Sequence, residues 1–223
     1  MGNTGLPLPR PGKVICVGLN YRDHAEEASM ALPERPLLFA KWPSSLIGPG
    51  QPIVLPSFTR EVDYEAELAV VIGRRARDLS ESEALSVVAG YTCLNDVSAR
   101  DLQMADQQWT RGKSLDTFGP IGPRVVASDG IDPDRLRIRC LLNGDVVQDS
   151  STSNMVFGVR EILAYASRAT TLEPGDVVAT GTPAGVGFIQ RPPRFLQPGD
   201  EVSIEIEGVG VLSNPVAAAD QSP

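Results

Sequence analysis

Histidine is nearly absent: His24 is the only one in 223 residues. Zinc sites built from paired histidines, or from histidine with clustered cysteines, are thereby excluded within one chain. The three cysteines, Cys16, Cys93 and Cys140, are odd in number and far apart. They read as buried reduced thiols rather than a disulfide framework. The longest strongly apolar stretch, Leu68 to Ile72, falls far short of the roughly 18 residues a membrane span needs. No charged-then-apolar leader opens the chain, and Leu6 stands where a myristoylation pattern wants Ser or Thr. The expectation is a cytoplasmic protein. Positive charge is also scarce, with a formal charge of −8, so the basic footprint of a nucleic-acid binder is missing. No G-x-S-x-G elbow and no G-x-G-x-x-G after a strand occur. Gly112-Lys113-Ser114 has the ending of a phosphate loop, but Gln107 stands where its first glycine belongs. Nucleotide-dependent chemistry has little support.

Turn formers, by contrast, are abundant. Twenty-one glycines and nineteen prolines are about half as many again as the roughly 12% of average usage. Strands joined by tight loops are expected over a helix bundle, in an α+β, strand-dominant fold without a flexible linker. Lys13 to Gly18 reads as an opening buried strand, Asp23 to Ala31 as a helix, and Leu37-Leu-Phe39 as a short strand within a Pro-rich stretch. The strongest strand runs from Val62 to Ile72. A helix starts at Ser80, with Glu83 completing a capping box and Gly90 past its end. Further helices are expected over Ser98 to Trp109 and from Ser153 to about Arg168. Leu172-Glu-Pro-Gly-Asp and Leu196-Gln-Pro-Gly-Asp echo each other as Pro-Gly turns feeding strands.

Alternate side chains of a strand share a face. Val62, Tyr64, Ala66, Leu68 and Val70 make one apolar face; Glu61, Asp63, Glu65 and Glu67 line the other. Neighbouring acids are then only about 6.6 Å apart, at roughly 3.3 Å per residue. The inner two run into a hydrophobic segment, where unpaired negative charge is costly. Either the face is solvated, or a hard divalent cation with oxygen ligands neutralises it, and Mg²⁺ or Mn²⁺ suits such ligands. A second cluster, Asn95-Asp-Val-Ser-Ala-Arg-Asp-Leu-Gln103, places Asp96 at the end of an apolar run. Ser98 is a candidate cap, and Arg100 and Gln103 fall on one helical face. Capping with a surface ion pair is the plain alternative here. Lys113 is one of only three lysines, although a lone lysine is usually a solvated charge.

These segments together resemble the fumarylacetoacetate hydrolase family, in its single-domain, acylpyruvate-hydrolase-like branch. The resemblance is carried in order by Gly18-Leu-Asn-Tyr-Arg-Asp-His-Ala-Glu-Glu27, Val62-Asp-Tyr-Glu-Ala-Glu-Leu68, Asn95 to Gln103, Lys113-Ser-Leu-Asp116, Leu142-Asn-Gly144, and Pro174 to Gly187 with Thr180-Gly-Thr-Pro-Ala-Gly-Val-Gly187 at its end. It implies a mixed β-sandwich roll spanning 14–216 as one catalytic domain, with 1–13 as an N-terminal extension and 217–223 as a C-terminal tail. It also implies a homodimer and one Mg²⁺ or Mn²⁺ per chain, acting on a small oxo acid, with no nucleic-acid or membrane partner. By resemblance the metal ligands fall on Glu65, Glu67 and Asp96, and a His–Glu dyad on a short mobile lid falls on His24 and Glu27. Lys113 takes the place of an oxyanion-stabilising lysine, and Arg100, Gln103 and Thr182 take substrate-binding positions. The Gly181-Thr182 turn is a candidate anion nest. The implied reaction is C–C hydrolysis of a 2,4-diketo acid to pyruvate and a carboxylic acid. A 2-hydroxydienoate isomerase or an oxaloacetate decarboxylase, working through the same enolate, and a non-catalytic acid- or metal-binding module are the alternatives.

Overall fold

The computed structural model describes residues 5–219. Fourteen strands and five α-helices follow in chain order. The first half holds β1 (Val14–Gly18), α1 (Arg22–Glu27), β2 (Leu37–Lys41), β3 (Leu46–Ile47), β4 (Ile53–Leu55), β5 (Val62–Asp63), β6 (Ala66–Ile72), α2 (Glu81–Ala84), β7 (Val88–Asn95), β8 (Ser98–Ala99), α3 (Arg100–Asp106) and α4 (Thr110–Lys113). The second holds β9 (Gly119–Ala127), β10 (Arg137–Leu142), β11 (Asp145–Ser151), α5 (Val159–Ala169), β12 (Val177–Ala179), β13 (Glu201–Ile206) and β14 (Gly210–Ala218). A seven-stranded sheet has the order β2-β1-β12-β6-β7-β9-β3, a five-stranded sheet β11-β10-β13-β14-β4, and β5 pairs with β8. Parallel pairs (β1 with β12, β3 with β9, β14 with β4) sit among antiparallel ones, so the sheets are mixed. The strand-dominant α+β reading holds.

The central strand β6 is buried along its whole length. Its even residues, Leu68, Val70 and Ile72, pack in the main core with Ile138, Cys140 and Ile204 of the facing sheet. The odd residues Ala69 and Val71 pack in a second cluster with Val14, Cys16 and Ile121. Both faces of this strand are therefore interior, and no solvated acidic face exists there. The expected continuous strand from Val62 is interrupted at Tyr64 and Glu65. Asp63 is the reason: buried, it accepts hydrogen bonds from Tyr64 N, Gly187 N and Arg100, which turn the chain out of the ladder.

Other expectations shift at their ends. The Ser80 capping box is formed, but α2 stops at Ala84 and Gly90 lies inside β7, paired with Ala127. Ser98 is in β8, its hydroxyl donating to Asp96 O, and Ala99 is the N-cap of α3. Gln107, in the left-handed region at φ 57°, ends α3 before Trp109. Helix α5 begins at Val159, six residues past Ser153, and α1 spans Arg22–Glu27. Strands β9, β10 and β11 are absent from the sequence reading, and β14 reaches Ala218, two residues beyond the expected domain edge. The two Pro-Gly turns share one geometry: Gly175 and Gly199 have φ 89° and 95°. In each turn the following aspartate takes a hydrogen bond from the residue before the proline, Glu173 or Gln197. All three cysteines are free and buried.

Candidate active site

The break after β5 lets Glu65 and Glu67 face the same interior space as Asp96, which follows β7. Glu65 N donates to Asn95 Oδ1 (3.0 Å) and Asp96 N to Glu65 O (2.9 Å), tying the two strand ends together. Carboxylate oxygens of Glu65, Glu67 and Asp96 lie within 4.8 Å of one another, and all three residues are buried.

Three cations are buried with them. Lys113 Nζ is 2.6 Å from Glu65 Oε2 and 2.8 Å from Asp96 Oδ2. Arg100 Nη1 is 2.6 Å from Glu65 Oε1, while its Nε donates to Asp63 Oδ2 at 2.9 Å. Lys41, fully buried, donates to Asp96 Oδ1 (2.7 Å), to Val97 O (3.2 Å) and to Lys113 O. Four carboxylates thus face three cations, leaving one carboxyl without a cationic partner. It is Glu67: among the described residues it makes no ion pair, and Gly181 N donates to it at 2.9 Å. Burial, then the neighbouring Asp96 and Glu65 carboxylates, push its carboxyl well above the usual range. For Glu65 burial pushes the same way, but Lys113 and Arg100 outweigh it and hold the carboxyl down, at about 2.

This arrangement fits a divalent cation. All the donors the triad offers are oxygens, as hard cations require, and Glu67 has no cationic partner among the described residues.

A cavity of about 240 Å³ opens beside the carboxylates. Seven of the nine predicted site residues line it; Glu27 and Asp96 stand behind. His24 enters from α1, with Nδ1 3.5 Å from Glu27 Oε2. Helix α1 is hydrogen-bonded to the rest of the chain at several points in this conformation. Asp23 Oδ2 accepts from Ser150 and Asn154, Arg22 donates to Met155 O, and both Glu27 oxygens accept from Gly185 N. Arg100 Nη1 donates to Gln103 Oε1 at 3.0 Å, as their helical spacing predicts. Thr182 faces the cavity with its hydroxyl held by Gln148 Nε2 at 2.9 Å. The proposed nest is corrected in one respect: Gly181 N–H is already engaged by Glu67.

Sequence reasoning missed Lys41, Asp63 as a bridge, and Gln148. Lys41 had a signal, a lone charge ending an apolar run from Leu37. Gln148, on the unpredicted β11, had none.

Fold and site define an α+β class with a candidate cation site of buried carboxylates, and the family profile for the fumarylacetoacetate (FAA) hydrolase C-terminal domain matches residues 13–217. The chain belongs to the fumarylacetoacetate hydrolase family. It is 49% identical over 212 residues (94% of this chain, 68% of the other) to the rat protein named oxaloacetate tautomerase Fahd2a, mitochondrial. A Dictyostelium discoideum fumarylacetoacetate hydrolase domain-containing protein 2 homolog is 50% identical, covering 96% of this chain and 74% of its own. Among solved structures, 2-hydroxyhepta-2,4-diene-1,7-dioate isomerase from Mycobacterium marinum superposes with a TM-score of 0.86 at 44% identity, over 97% of this chain and 78% of that one. Its relatives are enzymes of this family. The rat relative is named as mitochondrial, which lends no support to a cytoplasmic location. No helix among the described residues is long and apolar enough to cross a membrane.

Proposed function

We propose that the chain catalyses metal-dependent enol–keto proton transfer on a small 2-oxo acid, with Mg²⁺ or Mn²⁺ held by Glu65, Glu67 and Asp96. The observation that carries this reading is one cavity lined by Glu65 and Glu67 of the buried acidic triad and by the chain's only histidine. Relatives at 49% and 44% identity, named as a tautomerase and an isomerase, support proton transfer over C–C hydrolysis. Bound at the triad, a divalent cation supplies Lewis-acid stabilisation of negative charge on the 2-oxo oxygen.

The side chains supply the rest. Arg100 and Gln103 orient the substrate carboxylate, and Lys113 adds positive charge where the enolate develops. His24, the residue type suited to giving and taking a proton near neutral pH, delivers a proton to C3, and Glu27 orients its ring. The enol O–H proton leaves to water and C3 gains one, while the C2=C3 bond becomes C2=O; the reaction is an isomerisation without net change. Hydrolysis of an acylpyruvate is the second reading, favoured by the His24–Glu27 pair, which suits activation of an attacking water.

The test follows enol-oxaloacetate decay by ultraviolet absorbance, pyruvate release from acetylpyruvate, and CO₂ release from oxaloacetate, each with Mg²⁺ and then with chelator. Chelator-sensitive acceleration of the enol decay, exceeding the other two, is expected. Faster pyruvate release would replace this reading with the hydrolase, and faster CO₂ release with a decarboxylase. His24→Ala should lower the rate by at least about 10²-fold while calorimetric Mg²⁺ binding is kept; joint loss of both would refute this division of labour.

A further inference from the structure

Gln148 is the one buried residue of the edge strand β11. The register of β10 with β11 shifts beside it: Cys140 pairs with Gln148 and Leu141 with Val146. Val147 is thus bulged out of the ladder, and bulges re-aim side chains. The loop between β12 and β13 lies against this bulge, where a β-carbon on Gly185 would sit 2.1 Å from Val147 O. The Gln148 amide, 1% exposed, spans from that loop to β6.

Its backbone partners fix which way round the amide lies. Ala66 N, between Glu65 and Glu67, has only a proton to give, and donates to Gln148 Oε1 at 2.9 Å. Pro183 O can only accept, and takes a hydrogen bond from Nε2 at 2.9 Å. The other Nε2 hydrogen then falls to Thr182 Oγ1, also at 2.9 Å. A hydroxyl has one proton, and that of Thr182 finds no acceptor among the described residues. Thr182 lines the cavity, and the residues on either side of it are held, Gly181 by Glu67 and Pro183 by Gln148. Gln103 has the same polarity. Its Oε1 accepts from Arg100, which leaves its amide hydrogens as donors beside the cavity.

Resting on the 2-oxo acid reading above, we infer that Gln148 is a positioning residue, which fixes the Thr182 hydroxyl as a hydrogen-bond donor to an anionic oxygen of the substrate. Gln148 does not line the cavity, so it acts through Thr182 alone.

The probe is oxamate, a stable isostere of pyruvate, titrated calorimetrically with Mg²⁺ present into wild type, Thr182→Val, Gln148→Met and the double variant. Thr182→Val should weaken binding by about tenfold or more, as loss of a hydrogen bond to a charged group does. Thr182→Ser keeps the hydroxyl and should stay within about threefold of wild type. Gln148→Met should weaken binding at least about threefold, yet by less than about 1.5-fold when Thr182 is already valine. Gln148→Glu, which keeps an acceptor for Ala66 N, repeats the comparison if the methionine variant does not fold. A staple that merely joined β11 to the loop would cost affinity equally in both backgrounds. That result would overturn the proposal, as would unchanged binding by Thr182→Val. In enol–keto turnover the Gln148 variants should raise KM more than they lower kcat. Absence of turnover with the coupled binding intact would defeat the enol–keto reading and leave the role of Gln148 standing.

Discussion

Glu65 and Glu67 are two residues apart in the chain, and their environments drive their protons in opposite directions. The difference lies in their partners. Glu65 is gripped by Lys113 and Arg100, whereas Glu67 has one backbone N–H and two carboxylates nearby. Their effects on stability therefore differ in sign. Glu65, held at about 2, contributes stability that is present above its unfolded value near 4.5 and is lost as pH falls toward 2. Glu67 does the reverse: raised in the metal-free fold, it favours the folded state at low pH, and that contribution is lost as pH rises from 4.5 toward its folded value. Glu67→Gln removes the ionisation. In urea unfolding with chelator present, the stability of the variant relative to wild type should be greater at pH 8 than at pH 5. A relative stability that falls with pH would contradict this account of the buried charge. The histidine, the triad and Lys113 were all legible as residues, because each is a rare or costly group in its context. Lys41 was not read, since its three acceptors come from distant parts of the chain.

One loop does most of the positioning at the scale of elements. Between β12 and β13 it donates Gly181 N to Glu67, Gly185 N to Glu27, and Gly187 N and Phe188 N to Asp63. Backbone donors from a single segment thus hold a triad member, the partner of His24, and the carboxylate behind Arg100. Asp63→Asn keeps the shape but leaves Arg100 with a weaker partner and sets an amide against backbone donors. Breaking such a buried pair costs about 3–5 kcal/mol, and kcat should fall with stability because Arg100 and Phe188, which both line the cavity, shift together. Ser80→Ala is the control: losing that cap costs about 1 kcal/mol far from the cavity, with kcat/KM unchanged. Urea unfolding and steady-state kinetics on both variants check this; an Asp63→Asn protein with wild-type kinetics would dissociate the loop from the site. Element types were readable wherever the pattern was local, as in the Ser80 capping box and the Pro-Gly turns. Boundaries failed where a distant partner decides, as at Tyr64 and Glu65, where Asp63 breaks the strand to reach Gly187 and Arg100.

For the whole molecule, the unpartnered Glu67 beside Glu65 and Asp96 would make a cation bound at the triad part of the folding equilibrium. A ligand at 100 times its Kd stabilises by about 2.7 kcal/mol, and each kcal/mol moves Tm by about 2–4 °C in a chain of this size. Saturating Mg²⁺ or Mn²⁺ should raise Tm by about 5–10 °C, and Glu65→Ala combined with Glu67→Ala should abolish the rise. A rise that survives the double substitution would place the cation elsewhere.

Local chemistry alone determined much about this protein. The single histidine excluded zinc sites of paired histidines, the strand of acids demanded neutralisation, and the ordered motifs pointed to the family. Those properties depend on residue type and short spacing, which the chain carries wherever it folds. What the acids face, which of them is left unpaired, and what walls the cavity were decided only in three dimensions. Lys41, Arg100, Lys113 and the 181–188 loop reach the site from separate elements, and Trp109 lines the cavity with its ring lying on Gly18 of the opening strand, where a β-carbon would sit 2.2 Å from it. Charge balance and cavity shape are sums over distant neighbours, and linear spacing carries no record of them.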